Sequence, residues 1–129
     1  MRGEYHALYC DSYSLYVETD NQNFYSQDNC IMEKANPTKL IVGSSQSVIP
    51  NYITHIFDHA FFYCEMESIT IPVGVSTIGE TAFGWCYNLS TIIFRGTMSQ
   101  WNSVDKADNW IDGCPATKVV CSDGIVPIT

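Results

Sequence analysis

Basic residues are scarce in this chain: six Lys and Arg stand against fourteen Asp and Glu, for a formal charge of −8. Binding to a phosphate backbone draws on counterion release at a basic face, so direct nucleic-acid binding is not expected, whereas a basic protein partner stays compatible with the charge. Long apolar runs are also missing. Nothing approaches the ~18 residues that would cross a bilayer, and the opening residues Met1 to His6 lack the apolar segment of a signal peptide. As written, the chain reads as soluble and without an export signal of its own. Catalytic signatures are equally thin: there is no Gly-x-Ser-x-Gly elbow and no phosphate-cradling glycine loop. No cysteine pair has Cys-x-x-Cys spacing.

The six cysteines are Cys10, Cys30, Cys64, Cys86, Cys114 and Cys121. An even number in a short secreted chain would suggest a disulfide scaffold, yet 129 residues with 46% hydrophobic content can hold one domain with a core and no staples. His55 and His59 have the i, i+4 spacing that chelates a metal on a helix. No acidic third ligand follows at a suitable interval. The chain is therefore expected to be no enzyme, with no catalytic residue, no metal and no cofactor.

What the chain does have is an internal period. Residues 48–64 laid over residues 70–86 match at an offset of 22. Ile49 falls on Ile71, Pro50 on Pro72, Ile53 on Val75, Ile56 on Ile78, Ala60 on Ala82, Phe61 on Phe83 and Cys64 on Cys86. After each cysteine comes a segment of period two, Ser68 to Ile71 and Thr91 to Phe94, which predicts a strand with one face buried. Ser14 to Val17, after Cys10, predicts a third such strand, with Leu15 and Val17 inward. A unit of this length cannot bury its apolar side alone, so neighbouring units must stack, with parallel strands and columns of Ile, Phe and Cys inside. Cys64 and Cys86 then read as small buried hydrophobes in one column, with a disulfide or metal role as the lesser alternative. Pro50 and Pro72 end the strands, and Gly74, Gly79 and Gly84 suit the bends. Phe57 stands where the next copy has Gly79.

The pattern Ile-Pro, Ile, Ile-Gly, Ala-Phe-x-x-Cys, Leu, Ile-x-Ile/Phe, carried by residues 48–94, resembles the BspA-like class of bacterial leucine-rich repeats. Residues 23–42 resemble the hairpin-like variant unit of such arrays. The stretch with Trp101, Trp110 and Cys114 to Gly124 resembles their closing module. The resemblance implies a leucine-rich-repeat solenoid of the α/β horseshoe type, strand-rich, with short parallel strands and compact helical or 3-10 turns. It divides a single domain, 1–129, into a partial first repeat with the variant unit (1–47), two regular repeats (48–95) and a closing module (96–129). In that module Thr97 or Ser99 would cap a short helix that lays Trp101 over the last rung, and Val119, Val120 and Cys121 would make a final strand before Asp123-Gly124 turns. The N-terminus begins partway through a unit, so either the chain is an excerpt from a longer array or its open end meets a partner, and pairing of two copies through that edge is the expectation for the second case.

On the strands the outward residues are Tyr16, Thr70 and Ile93, with Ser14, Ser68 and Thr91 beside them, and the first three form a candidate concave protein-binding strip. Tyr9, Tyr63 and Trp85 each precede a repeat cysteine and predict an aromatic row, either stacking that stabilises the turns or a second platform for a partner. Two functions follow. The resemblance implies an extracellular or cell-surface adhesive module. The charge suggests instead a small acidic binding protein or inhibitor that docks on a basic, nucleic-acid-handling partner, cytoplasmic if the chain is complete as given. Asn88-Leu89-Ser90 is a glycosylation sequon, but Leu89 is expected in the core.

Overall fold

The computed structural model describes residues 17–128. Expectations that fall on Tyr9, Cys10, Leu15 and Tyr16 lie outside them. The described chain opens with β1 (Phe24–Gln27), β2 (Cys30–Glu33) and β3 (Lys39–Gly43), joined antiparallel. The β1–β2 turn is Asp28-Asn29, with φ of 55° and 62°. Two left-handed residues make the tight turn whose twist matches that of the flanking strands. The hairpin-like unit seen in the sequence is therefore a real hairpin.

From β3 onward the chain winds back and forth between two sheets. The first continues parallel from β3 through β4 (His55–Ile56), β5 (Ser68–Ile71) being given to the second sheet, then β6 (Thr77–Ile78) and β8 (Asp105–Lys106). In the second sheet β5 pairs with β7 (Thr91–Phe94) and β7 with β9 (Lys118–Cys121), all parallel, before β10 (Gly124–Pro127) closes it antiparallel. His55 pairs with Thr77 at the offset of 22. Ser68 pairs with Thr91 at 23. The result is a strand-rich repeat fold with one core between the sheets.

Inward residues of both sheets meet there: Ile56 and Ile78 from the first, Ile69, Ile71, Ile92 and Phe94 from the second. Phe61 and Phe83, one unit apart, stack with centroids 5.0 Å apart and planes 5° from parallel. Trp110 meets Phe83 edge-on and Trp101 beyond it. Such rings bury large apolar areas and gain further from these geometries. Trp101 sits on α1 (Met98–Asn102), where Thr97 and Gln100 form a reciprocal capping box.

The turns differ from expectation. Opposite the long strands of the second sheet stand the two-residue strands β4, β6 and β8 of the first, not a row of helices, and α1 is the only helix among the described residues. The reason is local. His59, Tyr63, Thr81 and Trp85 all have φ between 45° and 62°, a conformation that interrupts a right-handed helix every four residues. Their segment instead ladders to the next unit: the amides of His59, Phe61 and Tyr63 donate to the carbonyls of Glu80, Ala82 and Gly84. Gly79 and Gly84, by contrast, serve close packing. A Cβ on Gly79 would fall 2.2 Å from Asp58 Oδ1, and one on Gly84 would fall 2.8 Å from Thr81 Cβ.

Val17 and Cys64 also depart from expectation. Val17 is buried, but in a separate cluster with Ile31, Ile41 and Val42 and not in the column of Ile69 and Ile71. Cys64 is buried as expected yet is disulfide-bonded, while Cys86 is a buried free thiol. Within residues 96–129, β8 and β9 carry the ladder through one more unit. Lys106 occupies there the position of Ile78. It runs its stem inward, sets its ammonium 4.7 Å over the Trp101 ring and donates to the Trp101 and Val104 carbonyls. Burial holds its pKa below the usual lysine range.

Candidate functional site

The outward face of the second sheet is built by alternation alone. Along β5 and β7 every second residue is buried, so Ser68, Thr70, Thr91 and Ile93 point away from the core. Register aligns Thr70 with Ile93, Ile93 with Val120, and Val120 with Ile125. A single row of outward side chains thus crosses all four strands. Val120 and Ile125 are among the exposed large hydrophobics, Ile125 at 53%. Neither belonged to the sequence-derived strip. The sequence does predict a final strand over Val119 to Cys121, but its place beside β7 and the hairpin that adds β10 could not be aligned with a repeat. Tyr16 lies outside the described residues, so the row described here runs from Thr70 toward the C-terminus.

The aromatic row occupies the turn side. Tyr63 and Trp85 are 43% and 41% exposed and hold equivalent places in consecutive units. They do not stack on each other directly. Tyr87, 62% exposed, lies between them, with centroids 5.9 Å from Tyr63 and 6.2 Å from Trp85. Phe62 and His59 extend the chain of rings, at 4.5 Å from Tyr63 to Phe62 and 5.7 Å from Phe62 to His59. With interplanar angles of 42° to 66°, the rings do not form one flat surface. Such packing braces the turns, and Tyr87, invisible to the search for residues preceding a cysteine, is its bridge.

A shallow groove of about 370 Å³ lies on the first sheet, lined by Lys39, His55, Phe57, Asp58, Glu80 and Asp105 among others. Phe57 is accommodated here by exposure: its ring lies under the Lys39 ammonium, 4.5 Å from Nζ. Asp58 Oδ1 accepts from the Glu80 amide, which ties the two units together. His55 bonds the Thr54 hydroxyl through Nδ1, whereas His59 bonds the Thr81 hydroxyl. The two histidines are thus engaged with separate partners. Among the described residues no group of three His, Cys, Asp or Glu side chains is placed to hold a metal, and no helix is long and apolar enough to cross a membrane.

No curated protein and no solved structure matches the chain. Residues 42–104 match the family model described as BspA type Leucine rich repeat region (6 copies). That span runs from the end of β3 to the residue before β8 and contains both regular units, so the chain carries a BspA-type leucine-rich repeat region.

Proposed function

We propose that the chain is a non-catalytic protein-binding module, a short leucine-rich-repeat solenoid that engages its partner with the outward face of the four-stranded sheet. The observation that carries this reading is the in-register row Thr70, Ile93, Val120 and Ile125. A solvated sheet face has no need of apolar side chains at three successive strands, and a contiguous apolar strip rimmed by Ser68, Thr91 and Lys118 has the make-up of an interface. Leucine-rich repeats as a class serve protein–protein contact, which supports the same reading. The disulfide at Cys64 favours an oxidising, extracellular or cell-surface setting and an adhesive role. Tyr63 and Trp85 act in this reading as braces of the turns.

A second reading rests on a different observation. Asp58, Glu80 and Asp105 line the groove of the first sheet on a chain of net charge −8. A basic partner docked there would be held by charge and would leave with salt. Affinity capture from cell extracts separates the two, using the native chain and an Ile93→Arg, Val120→Glu double variant with unchanged thermal unfolding. A partner retained by the native chain at moderate salt and lost by the variant supports the sheet face. Capture unaffected by the variant but abolished by salt supports the groove and defeats the first reading.

A further inference from the structure

Three consecutive units place a cysteine at the same point of the turn. Cys86 follows Cys64 by 22 residues and Cys114 follows Cys86 by 28, the spacings at which His55, Thr77 and Asp105 pair across the first sheet. Cys64 is disulfide-bonded, whereas Cys86 and Cys114 are free. The hydrogen bonds repeat with the unit: Cys86 Sγ lies 3.0 Å from the Phe61 carbonyl oxygen, and Cys114 Sγ lies 2.7 Å from that of Phe83. The amides of Phe83 and Trp85 donate to the carbonyls of Trp110 and Asp112, which sets the two units side by side just before these cysteines; neighbouring strands of such a ladder lie about 4.8 Å apart, inside the roughly 4.4–6.8 Å Cα separation that a disulfide spans.

The two thiols differ in a way that assigns their roles. Cys86 is fully buried, and Cys114 is partly open to solvent. The hydrogen bond from Cys86 favours the Cys114 thiolate and lowers its pKa against the opposing effect of burial. That same bond, with burial, raises the pKa of Cys86. The other free cysteines are poor competitors: burial pushes Cys30 up to about 12, and burial and Asp123 push Cys121 up. An accessible low-pKa thiol beside a buried second thiol is the arrangement of attacking and resolving cysteines.

We propose that Cys86 and Cys114 form a thiol–disulfide exchange site that takes small-molecule disulfides such as oxidised glutathione. The Cys114 thiolate attacks one sulfur of the small disulfide. A Cys114 mixed disulfide forms, the small S–S bond breaks, and one thiolate leaves, which takes up the proton that Cys114 gave to water. Cys86 then loses its proton to water and attacks Cys114 Sγ. The Cys86–Cys114 bond forms and the second small thiolate departs and is protonated. The protein loses two electrons, and the small disulfide becomes two thiols. Closure ties two successive units of the ladder.

The test treats the full chain with oxidised glutathione, quenches in acid, alkylates the remaining thiols and maps the peptides by mass. The native chain is expected to yield a linked Cys86–Cys114 peptide and two reduced glutathiones per chain, and Cys86→Ser to stop at a stable glutathione adduct on Cys114. Cys114→Ser should slow adduct formation at Cys86 by about tenfold or more. A readout free of variants is iodoacetamide labelling of the native chain, in which Cys114 should react first and reach half its plateau rate at a lower pH than Cys121. A native chain that accumulates the Cys114 adduct without the linked peptide would show a lone reactive cysteine and overturn the pair. First reaction at Cys30 or Cys121 would overturn the assignment of Cys114.

Discussion

The Trp85 ring lies against the backbone of Gly113, the residue that takes the Trp85 position one unit on: a Cβ there would fall 2.2 Å from Trp85 Cε3. Both residues are left-handed, with φ of 59° and 79°. The glycine is required twice over, by its conformation and by the ring above it. Gly113→Ala should destabilise the chain by about 2 kcal/mol, combining left-handed strain with displacement of the ring. In Trp85→Ala the ring is gone, so the same glycine substitution should cost about 1 kcal/mol less. A double-mutant cycle by urea unfolding checks this; additive costs would mean that the ring and the glycine are independent.

Gly79 and Phe57 occupy equivalent positions with opposite demands. Beneath Gly79 lies Asp58, whose amide nitrogen would be 2.7 Å from an added Cβ. Backbone cannot yield as a flexible side chain does, so Gly79→Ala is expected to cost about 2–3 kcal/mol. Phe57 has solvent and Lys39 around it, and Phe57→Ala should cost under about 1 kcal/mol. Thermal unfolding of the two variants measures the contrast, and equal losses would contradict it.

Phe83 stands between Phe61 and Trp110 and is fully buried. Truncation to alanine removes a ring shared by three units and should cost about 3–5 kcal/mol. The loss should appear as a single cooperative transition at lower denaturant, with the slope unchanged. A loss below 1 kcal/mol would mean that the ring column does not hold the units together.

How much of this was legible in the sequence depended on how regular the chemistry was. The offset between residues 48–64 and 70–86 matched the β4–β6 register because Ile, Ala, Phe and Cys recur at inward places of both units. One unit further on the pattern fades. The interval grows to 28, and Lys106 takes the place of an inward isoleucine, its charge satisfied by carbonyls that no sequence pattern announces. The two-residue strands of the first sheet were illegible for another reason: a period of two needs more than His55-Ile56 to declare itself. Left-handed conformation at Tyr63 and Trp85 was hidden because neither is a residue type that asks for it. The outward places of Thr70 and Ile93 followed from alternation, while Val120 and Ile125 needed the β9–β10 hairpin to join them.

The same register explains what the C-terminal third contributes. Ile92 aligns with Val119, and Phe94 packs on Trp101 at 5.1 Å. Truncation after Arg95 would open the edge of β7 and expose Phe94 at once. Such a chain should form oligomers of increasing size in light scattering at micromolar concentration. A soluble truncate that unfolds cooperatively would refute the role of β9, β10 and α1 in closing the core.

The central claim, that the outward face of the four-stranded sheet is the binding surface, is tested most directly by site-specific photo-cross-linking to the partner retained in capture. A benzophenone side chain is placed at position 93 or 120, and, for comparison, at the exposed positions 57 and 87. Cross-links from 93 and 120, with none from 57, are the expected result. Cross-links confined to 57 or 87 would move the interface to the groove or the aromatic turns and contradict the account.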